Sequence, residues 1–406
     1  MFSQVTEKHL REVFSRYFCP ETELLYDFVV DESGNAWHHL PTPDKIAASV
    51  PNPCGWGTGM EDSAMNGGNA IDALLTAYDV THDARIKPLV DALFRGLLRC
   101  ASVEMDEGFV ARSISPFDGK SHYIETSRDQ YTHWIYAALH LYFSELCDVE
   151  QKVRIRDGLV RIARKCEREA VPEKGYHMLR ADGTVGRVGK MWEELGTHEW
   201  LRLPMFYLAA YRVTDDPHWQ ELYLKYRDKA LEHSLPHEPE TMRCYASLQM
   251  QCSMRLILDH DTGADEKFRT KLRGLMKRCA VYGGKKALLN SAEYCTGAHD
   301  EAIYYRFRAW NKVDHMRQEG VINGYNYDNP AQSERKDVNG AFYPVREIAE
   351  GAMMAAMCSD YTVTPELLAA VDRMAEKLDL KRFSSIYAPL LLSCAHILCR
   401  ERMLNG

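Results

Sequence analysis

Four carboxylates in this chain have the spacing to act together. Thr58-Gly59-Met60-Glu61-Asp62, Thr126-Ser127-Arg128-Asp129-Gln130 and Gly196-Thr197-His198-Glu199-Trp200 each set an acid on the threshold of an apolar, helix-patterned stretch. Glu61 and Asp129 are 68 residues apart, Asp129 and Glu199 are 70, and each interval is close to a sixth of the 406 residues. A chain folded into six equal helical units would therefore offer a carboxylate at the same place on three of them. Paired carboxyl groups are what glycoside hydrolysis needs: a general acid with a raised pKa, and a base or nucleophile at a distance set by the stereochemical course. Asp129 is the first choice for an essential carboxylate, because Arg128 beside it can tune the site or hold an acidic substrate. Glu61 or Asp62 is its expected partner, with Glu199, Glu193 and Glu194 in reserve. Residue types alone do not divide acid from base.

A plainer reading competes at each position. Thr followed by an acid three residues later is a capping box, and acids favour a helix N-terminus through its dipole. The company these acids keep argues for more. Trp56, Trp134, Trp192 and Trp200 fall near the same starts, together with Arg128 and His198. Sugars present apolar CH faces to aromatic rings and hydroxyls to carboxylates and arginine. The glycines of Cys54-Gly55-Trp56-Gly57-Thr58-Gly59 fit either a tight turn or a pocket floor that lets a ligand approach the backbone. Further along, Glu293, His299, Asp300 and Glu301, then Tyr325 and Tyr327 within Asn323-Gly324-Tyr325-Asn326-Tyr327-Asp328-Asn329, are candidates to meet sugar hydroxyls, although Asn-Gly is also a plain turn former.

The elements that must position these residues are helices in pairs. Ile71, Leu74, Leu75 and Tyr78 form one apolar stripe and Leu89, Leu93, Phe94 and Leu97 the next. The turn between them, Ala77-Tyr78-Asp79-Val80-Thr81-His82-Asp83, returns as Ala210-Tyr211-Arg212-Val213-Thr214-Asp215-Asp216. Looser versions lie at Leu258 to Asp265, at Leu146-Cys147-Asp148 and at Asp360 to Pro365, where Thr364 is placed to cap and Pro365 to open a helix. Such repetition marks a stacked or ring-closed helical architecture. The pattern predicts helices over 3–17, 61–80, 84–102, 128–146, 150–170, 198–213, 216–233, 241–259, 264–281, 345–358, 364–378 and 384–403, with Pro204 and Pro389 near their starts. Hairpins are expected from Gly108–Ile114 with His122–Thr126, and from Tyr176–Val188 around Asp182-Gly183. Residues 282–344 read as a long irregular insertion in a single domain spanning 1–406.

Six helical hairpins joined by A-Y-x-x-T-x-D turns resemble the six-hairpin glycosidase superfamily. That resemblance implies an all-α (α/α)6 barrel whose inner helices begin near 61, 128, 198, 241, 345 and 384, and an active site among the loops leading into them. It implies a glycoside hydrolase acting on an oligosaccharide, with Asp129, Glu61, Asp62 and Glu199 as catalytic candidates. Trp56, Arg128, His198, Trp200, Trp192, Glu194, His299, Asp300, Tyr325 and Tyr327 become candidates to bind the substrate. Polysaccharide lyases, unsaturated glucuronyl hydrolases and sugar epimerases of the N-acylglucosamine type share the fold. The chain carries no obvious copy of the glucuronyl hydrolase aspartate motifs, but Arg112, Arg128 and Arg187 keep an acidic sugar in play.

Composition bounds the partners. A net charge of −8 and a pI near 6.1, with no dense basic run, argue against nucleic acid. HExxH, Walker, GxSxG and dinucleotide-binding patterns are missing, and the histidines at 198, 233, 237, 299 and 315 are scattered, so neither a metal nor a cofactor is expected. The 12 cysteines form no CxxC and read as small buried hydrophobes in a reducing compartment. MFSQVTEKHLREVF lacks the apolar core of a signal peptide, and the longest apolar run, Ala388 to Cys399, is too short for a bilayer. A cytoplasmic, soluble protein with a carbohydrate substrate is the expectation.

Overall fold

The computed structural model describes residues 3–29, 34–50, 52–56, 58–104, 107–296, 342–378, 380 and 385–405. These hold thirteen α-helices: α1 (Gln4–Arg16), α2 (Pro43–Ala47), α3 (Ser63–Thr81), α4 (Ile86–Cys100), α5 (Arg128–Phe143), α6 (Val149–Glu169), α7 (Arg202–Thr214), α8 (Pro217–Ser234), α9 (Cys244–His260), α10 (Glu266–Thr296), α11 (Phe342–Met357), α12 (Pro365–Lys377) and α13 (Tyr387–Asn405). The fold is all-α. Helices α3, α5, α7, α9, α11 and α13 pack each on the next, and α13 closes on α3. Outside this inner ring lie α4, α6, α8, α10 and α12, and α1 packs on α12 and α13 as the sixth outer helix. The result is an (α/α)6 ring whose last hairpin is made from the two ends of the described chain.

Sequence decides which helix goes where. In α3 nearly every residue from Ser63 to Leu75 is buried, so it has no face for water and must sit inside. In α6 burial follows a stripe of Ile155, Leu159, Ile162, Ala163 and Cys166, joined by the buried Lys165–Glu169 ion pair, and the other faces carry Lys, Arg and Glu. That is an outer helix. Trp134 belongs to the core and not to any rim: it is fully buried and its Nε1 donates to the Leu97 carbonyl at 2.9 Å.

The repeated turns adopt one geometry. His82 and Asp215 both end their helices with positive φ, 46° and 55°, and donate N–H to Tyr78 and Tyr211 carbonyls. Thr81 and Thr214 each donate Oγ1 to the carbonyl four residues back at 2.7 Å. Thr364 caps α12 and Pro365 opens it, as expected.

Three expectations need correction. The third inner helix begins at Arg202 and not 198, leaving Glu199 in the preceding turn. Pro204 lacks an N–H and is tolerated only in a first turn, which holds the start late. The insertion does not begin at 282, because α10 continues to Thr296. Gly283 and Gly284 look like a helix end but serve a crossing: a Cβ on Gly283 would lie 2.6 Å from the Gly351 carbonyl of α11. Finally, Gly108–Ile114 and His122–Thr126 form extended loops with no ladder. The other hairpin is present, as β1 (His177–Leu179) paired antiparallel with β2 (Val185–Lys190) through a bulge. Of the eleven cysteines whose side chains are described, ten are buried and all are free thiols. No helix among the described residues is long and apolar enough to cross a membrane.

Candidate active site

The starts of α3, α5, α7 and α9 open on one end of the ring, and the acids expected there do not cap their helices. Asp62, Ser127, Leu201 and Arg243 hold the cap positions, and none makes a side-chain cap bond. Thr58 donates instead to the Gly55 carbonyl, and Thr126 to that of Val110. A complete capping box forms at none of the three acid-bearing starts, although Glu199 accepts the Gly196 N–H at 3.0 Å in the turn before α7.

At α3 the amides are met from elsewhere in the chain. Asp27, fully buried, accepts the N–H of Glu61 at 2.6 Å and of Asp62 at 3.1 Å, and its other oxygen accepts Asn66 Nδ2 at 2.8 Å. Asp27 thus caps α3 from a distance and leaves the Asp62 carboxylate to face the mouth. There Asp62 accepts Arg112 Nη2 at 3.0 Å, Gln130 Nε2 at 2.7 Å and the Tyr387 hydroxyl. Gln130 also receives Met65 N–H at 3.1 Å, so α5 is tied to α3 by the residue next to Asp129. Burial raises the Asp27 carboxyl well above its usual range, and Asp62 and Glu61 push it the same way. Burial likewise raises the Tyr387 phenol, again with Asp62 and Asp27 adding to it.

Asp129 and Glu199 lie in a crossed pair of ion pairs. Arg202, fully buried at the start of α7, donates to Asp129 at 2.8 Å and to Gln249 of α9 at 2.5 Å. Arg128, at the start of α5, meets Glu199 at 2.5 Å and the Lys190 carbonyl at 2.8 Å. Burial would raise the Asp129 carboxyl, but Arg202 and then Arg128 hold it well below the usual carboxylate range. With 35% of its side chain exposed, Asp129 is the most open of these three paired acids; Asp62 is at 16% and Glu199 at 12%. Arg112 feels Asp62, Glu61 and Asp129 together, so the acids of α3 and α5 share one electrostatic neighbourhood. His198 stands 3.8 Å from Glu199, and burial pushes its imidazole down to about 4, leaving it neutral at pH 7.

Trp56 is half-buried with the Arg112 guanidinium 5.7 Å over its ring, and Asn52 holds its backbone from both sides. The glycines around it answer to internal packing rather than to a ligand: Gly55 (φ 71°) lies against the Tyr123 ring and Gly59 (φ 92°) against Leu40. Gly57 lies outside the described residues. Trp192 and Trp200 do not serve as open platforms. Trp192 packs edge-on against Trp200 and Tyr226, both at 4.8 Å, and Trp200 stacks on His233 at 4.1 Å, all against outer helix α8. A buried Trp ring gains more from that packing than it would from exposure. Glu194 is 84% exposed and pairs with Lys190 at 2.6 Å. His299, Asp300, Tyr325 and Tyr327 lie outside the described residues, as does the Arg187 side chain.

The mouth also gathers residues that sequence reasoning passed over. Arg346 of α11 bonds Glu350 at 2.6 Å and lies over the rings of Tyr387 (4.5 Å) and Tyr245 (5.3 Å). Asp27 and Arg202 carried a weak signal, each a single polar residue among apolar neighbours, as in Leu24-Leu25-Tyr26-Asp27-Phe28-Val29, whereas Gln130, after Ser127-Arg128-Asp129, carried none. Among the described residues no group of three or more His, Cys, Asp or Glu is arranged to hold a metal ion.

No family model matches this chain, and no curated protein matches it. Among solved structures it is similar to the GH76A alpha-1,6-mannanase from Salegentibacter sp. HEL1_6, at 14% identity and a TM-score of 0.37, over 70% of this chain and 87% of that one.

Proposed function

We propose that this protein is a glycoside hydrolase acting on an oligosaccharide at the mouth formed by the inner-helix N-termini. The observation that carries the reading is a division of charge. On one side Glu61 and Asp62 lie beside Asp27, whose carboxyl is raised by burial and then by those two acids. On the other, Arg202 and Arg128 keep Asp129 ionised. A carboxylate-crowded, buried environment on one side and an arginine-paired one on the other are the opposed surroundings that separate an acid from a base. Asp129 is the charged member, the base or nucleophile, and the Glu61–Asp62 end supplies the general acid. Asp27 is a positioning residue, too deeply buried to touch substrate. Trp56 and Tyr245 offer half-buried rings, and His198 a neutral hydrogen-bonding group.

A neutral sugar fits better than a uronate, since Arg112, Arg128 and Arg202 are each matched to a carboxylate. A lyase using Tyr387 as base is disfavoured, because burial raises that phenol and its hydroxyl is engaged by Asp62. The test is product analysis on a panel of neutral and acidic oligosaccharides. Hydrolysis yields new reducing ends without ultraviolet absorbance. Unsaturated products would show a lyase, and unchanged chain length with solvent hydrogen in the sugar would show an epimerase.

A further inference from the structure

We propose that the opposite end of the ring holds a second binding site, which takes a small metabolite bearing an oxyanion, phosphate or carboxylate, between Arg255, Arg273 and Arg402. A cavity of about 220 Å³ opens there, where the C-terminal ends of the inner helices meet the start of α10. It exceeds several-fold the roughly 30 Å³ that one water occupies in the liquid. Arg255 and Asp259 (α9), Arg273 (α10), and Glu401 and Arg402 (α13) line it.

The donors decide the ligand. Arg269, also on the wall, uses both terminal nitrogens on the Leu258 and Asp261 carbonyls at 3.1 Å, and so closes off the end of α9. That is ordinary structural work at a helix C-terminus. Arg255 has nothing comparable: among the described residues its one hydrogen bond runs from Nε to Asp259 at 3.4 Å, with Tyr136 and Asp72 as further electrostatic neighbours, so its terminal nitrogens carry no hydrogen bond there. Arg273 makes one 3.4 Å contact with Glu266, itself 73% exposed. Arg402 gives a single nitrogen to the Ser359 carbonyl at 2.5 Å. Three guanidinium groups with donors to spare therefore face one small space. Converging cations repel, and an oxyanion with several acceptor lone pairs relieves that repulsion through charge-assisted bonds.

Glu401 completes the site. It is 4% exposed and its Oε2 has no partner among the described residues. Burial raises its carboxyl, which limits the negative charge it sets against the arginines. A carboxyl so placed suits a ligand hydroxyl beside the anionic group. The inference rests on no residue of the mouth and holds whether or not that end cleaves sugars.

The test is titration calorimetry of the full-length protein with inorganic phosphate and, separately, with gluconate at millimolar concentrations. Saturable binding of either probe is expected. Arg255→Gln and Arg273→Gln should each weaken it about tenfold or more, the loss of charge-assisted hydrogen bonds. Arg128→Gln, at the mouth, should leave it unchanged. Binding of phosphate alone assigns a phosphate ester, and of gluconate alone a carboxylate. Arg273 is 39% exposed on its side chain, so its variant reads out binding even if Arg255→Gln misfolds. No binding of either probe, or binding that survives Arg273→Gln undiminished, overturns the proposal.

Discussion

The two ends of the ring use the same residue types for opposite purposes. At the far end α1, α6, α8 and α12 begin with Ser3, Asp148, Asp216 and Thr364, each accepting a backbone N–H in an ordinary side-chain cap. At the mouth α3, α5, α7 and α9 have no side-chain cap, and their Asp and Glu residues face arginines instead. A cap contributes about 0.5–2 kcal/mol. The mouth gathers four helix starts that forgo it, against α4 at the far end, which begins after Arg85 without a side-chain cap; that concentration marks a surface shaped for something other than stability. The crossed Arg128–Glu199 and Arg202–Asp129 pairs recover part of that stability, which is why the mouth is both a joint and a candidate site.

The sharpest way to break this contrast is through tryptophan. Trp200→Ala should lower the unfolding free energy by about 3–5 kcal/mol, as expected for a buried ring. Trp56→Ala should lower it by about 1 kcal/mol or less, little more than its cation–π contact, while weakening sugar binding. Chemical denaturation with parallel binding assays checks both, and similar stability losses would mean that Trp56 too is mere core.

Next comes Asp27. Asp27→Asn places an NH2 group among three N–H donors and should cost about 1–3 kcal/mol in urea melts. It should also slow turnover, because the Asp62 backbone loses its anchor. A variant that loses stability with full activity would detach Asp27 from the site.

Two histidines should respond to pH with opposite sign. At the mouth, burial holds His198 down at about 4, so as pH falls from 6.5 towards 4 the unfolded chain takes up a proton that the fold refuses, and stability drops. At the far end burial opposes His140, yet Asp72 and Asp79 raise it to about 9; its contribution is complete below pH 6.5 and is lost as pH rises through 9. Stability curves of His198→Gln and His140→Gln against pH should therefore diverge from the unmodified protein at opposite ends of the range.

The smallest effect is the most direct comparison of caps. Asp148→Ala removes a working capping box and should cost about 1 kcal/mol. Ser127→Ala, at the equivalent position of α5, removes a buried hydroxyl with no partner among the described residues and should be neutral or slightly stabilising in the same thermal melts.

Much of the ring is visible in the chain because its signals are local. Inner starts expected near 61, 128 and 241 are found at Ser63, Arg128 and Cys244, and the Tyr78 and Tyr211 turns superimpose in their hydrogen bonds. What stays hidden depends on distant partners. Asp27 meets residues 34 and 35 positions away, and Asp62 meets Tyr387 across 325. Whether Trp192 and Trp200 face a ligand or the core depends on Tyr226 and His233 of α8, which no spacing around the tryptophans reveals. Gly283 reads as a helix end until Gly351 is seen against it.

Asp129→Asn tests the central idea most directly. With an oligosaccharide that the unmodified protein cleaves, the variant should fold normally and lose about two to four powers of ten in turnover, the scale of a general acid–base contribution. A folded variant that cleaves the same bond at an undiminished rate would contradict the assignment of the mouth as the place where hydrolysis happens.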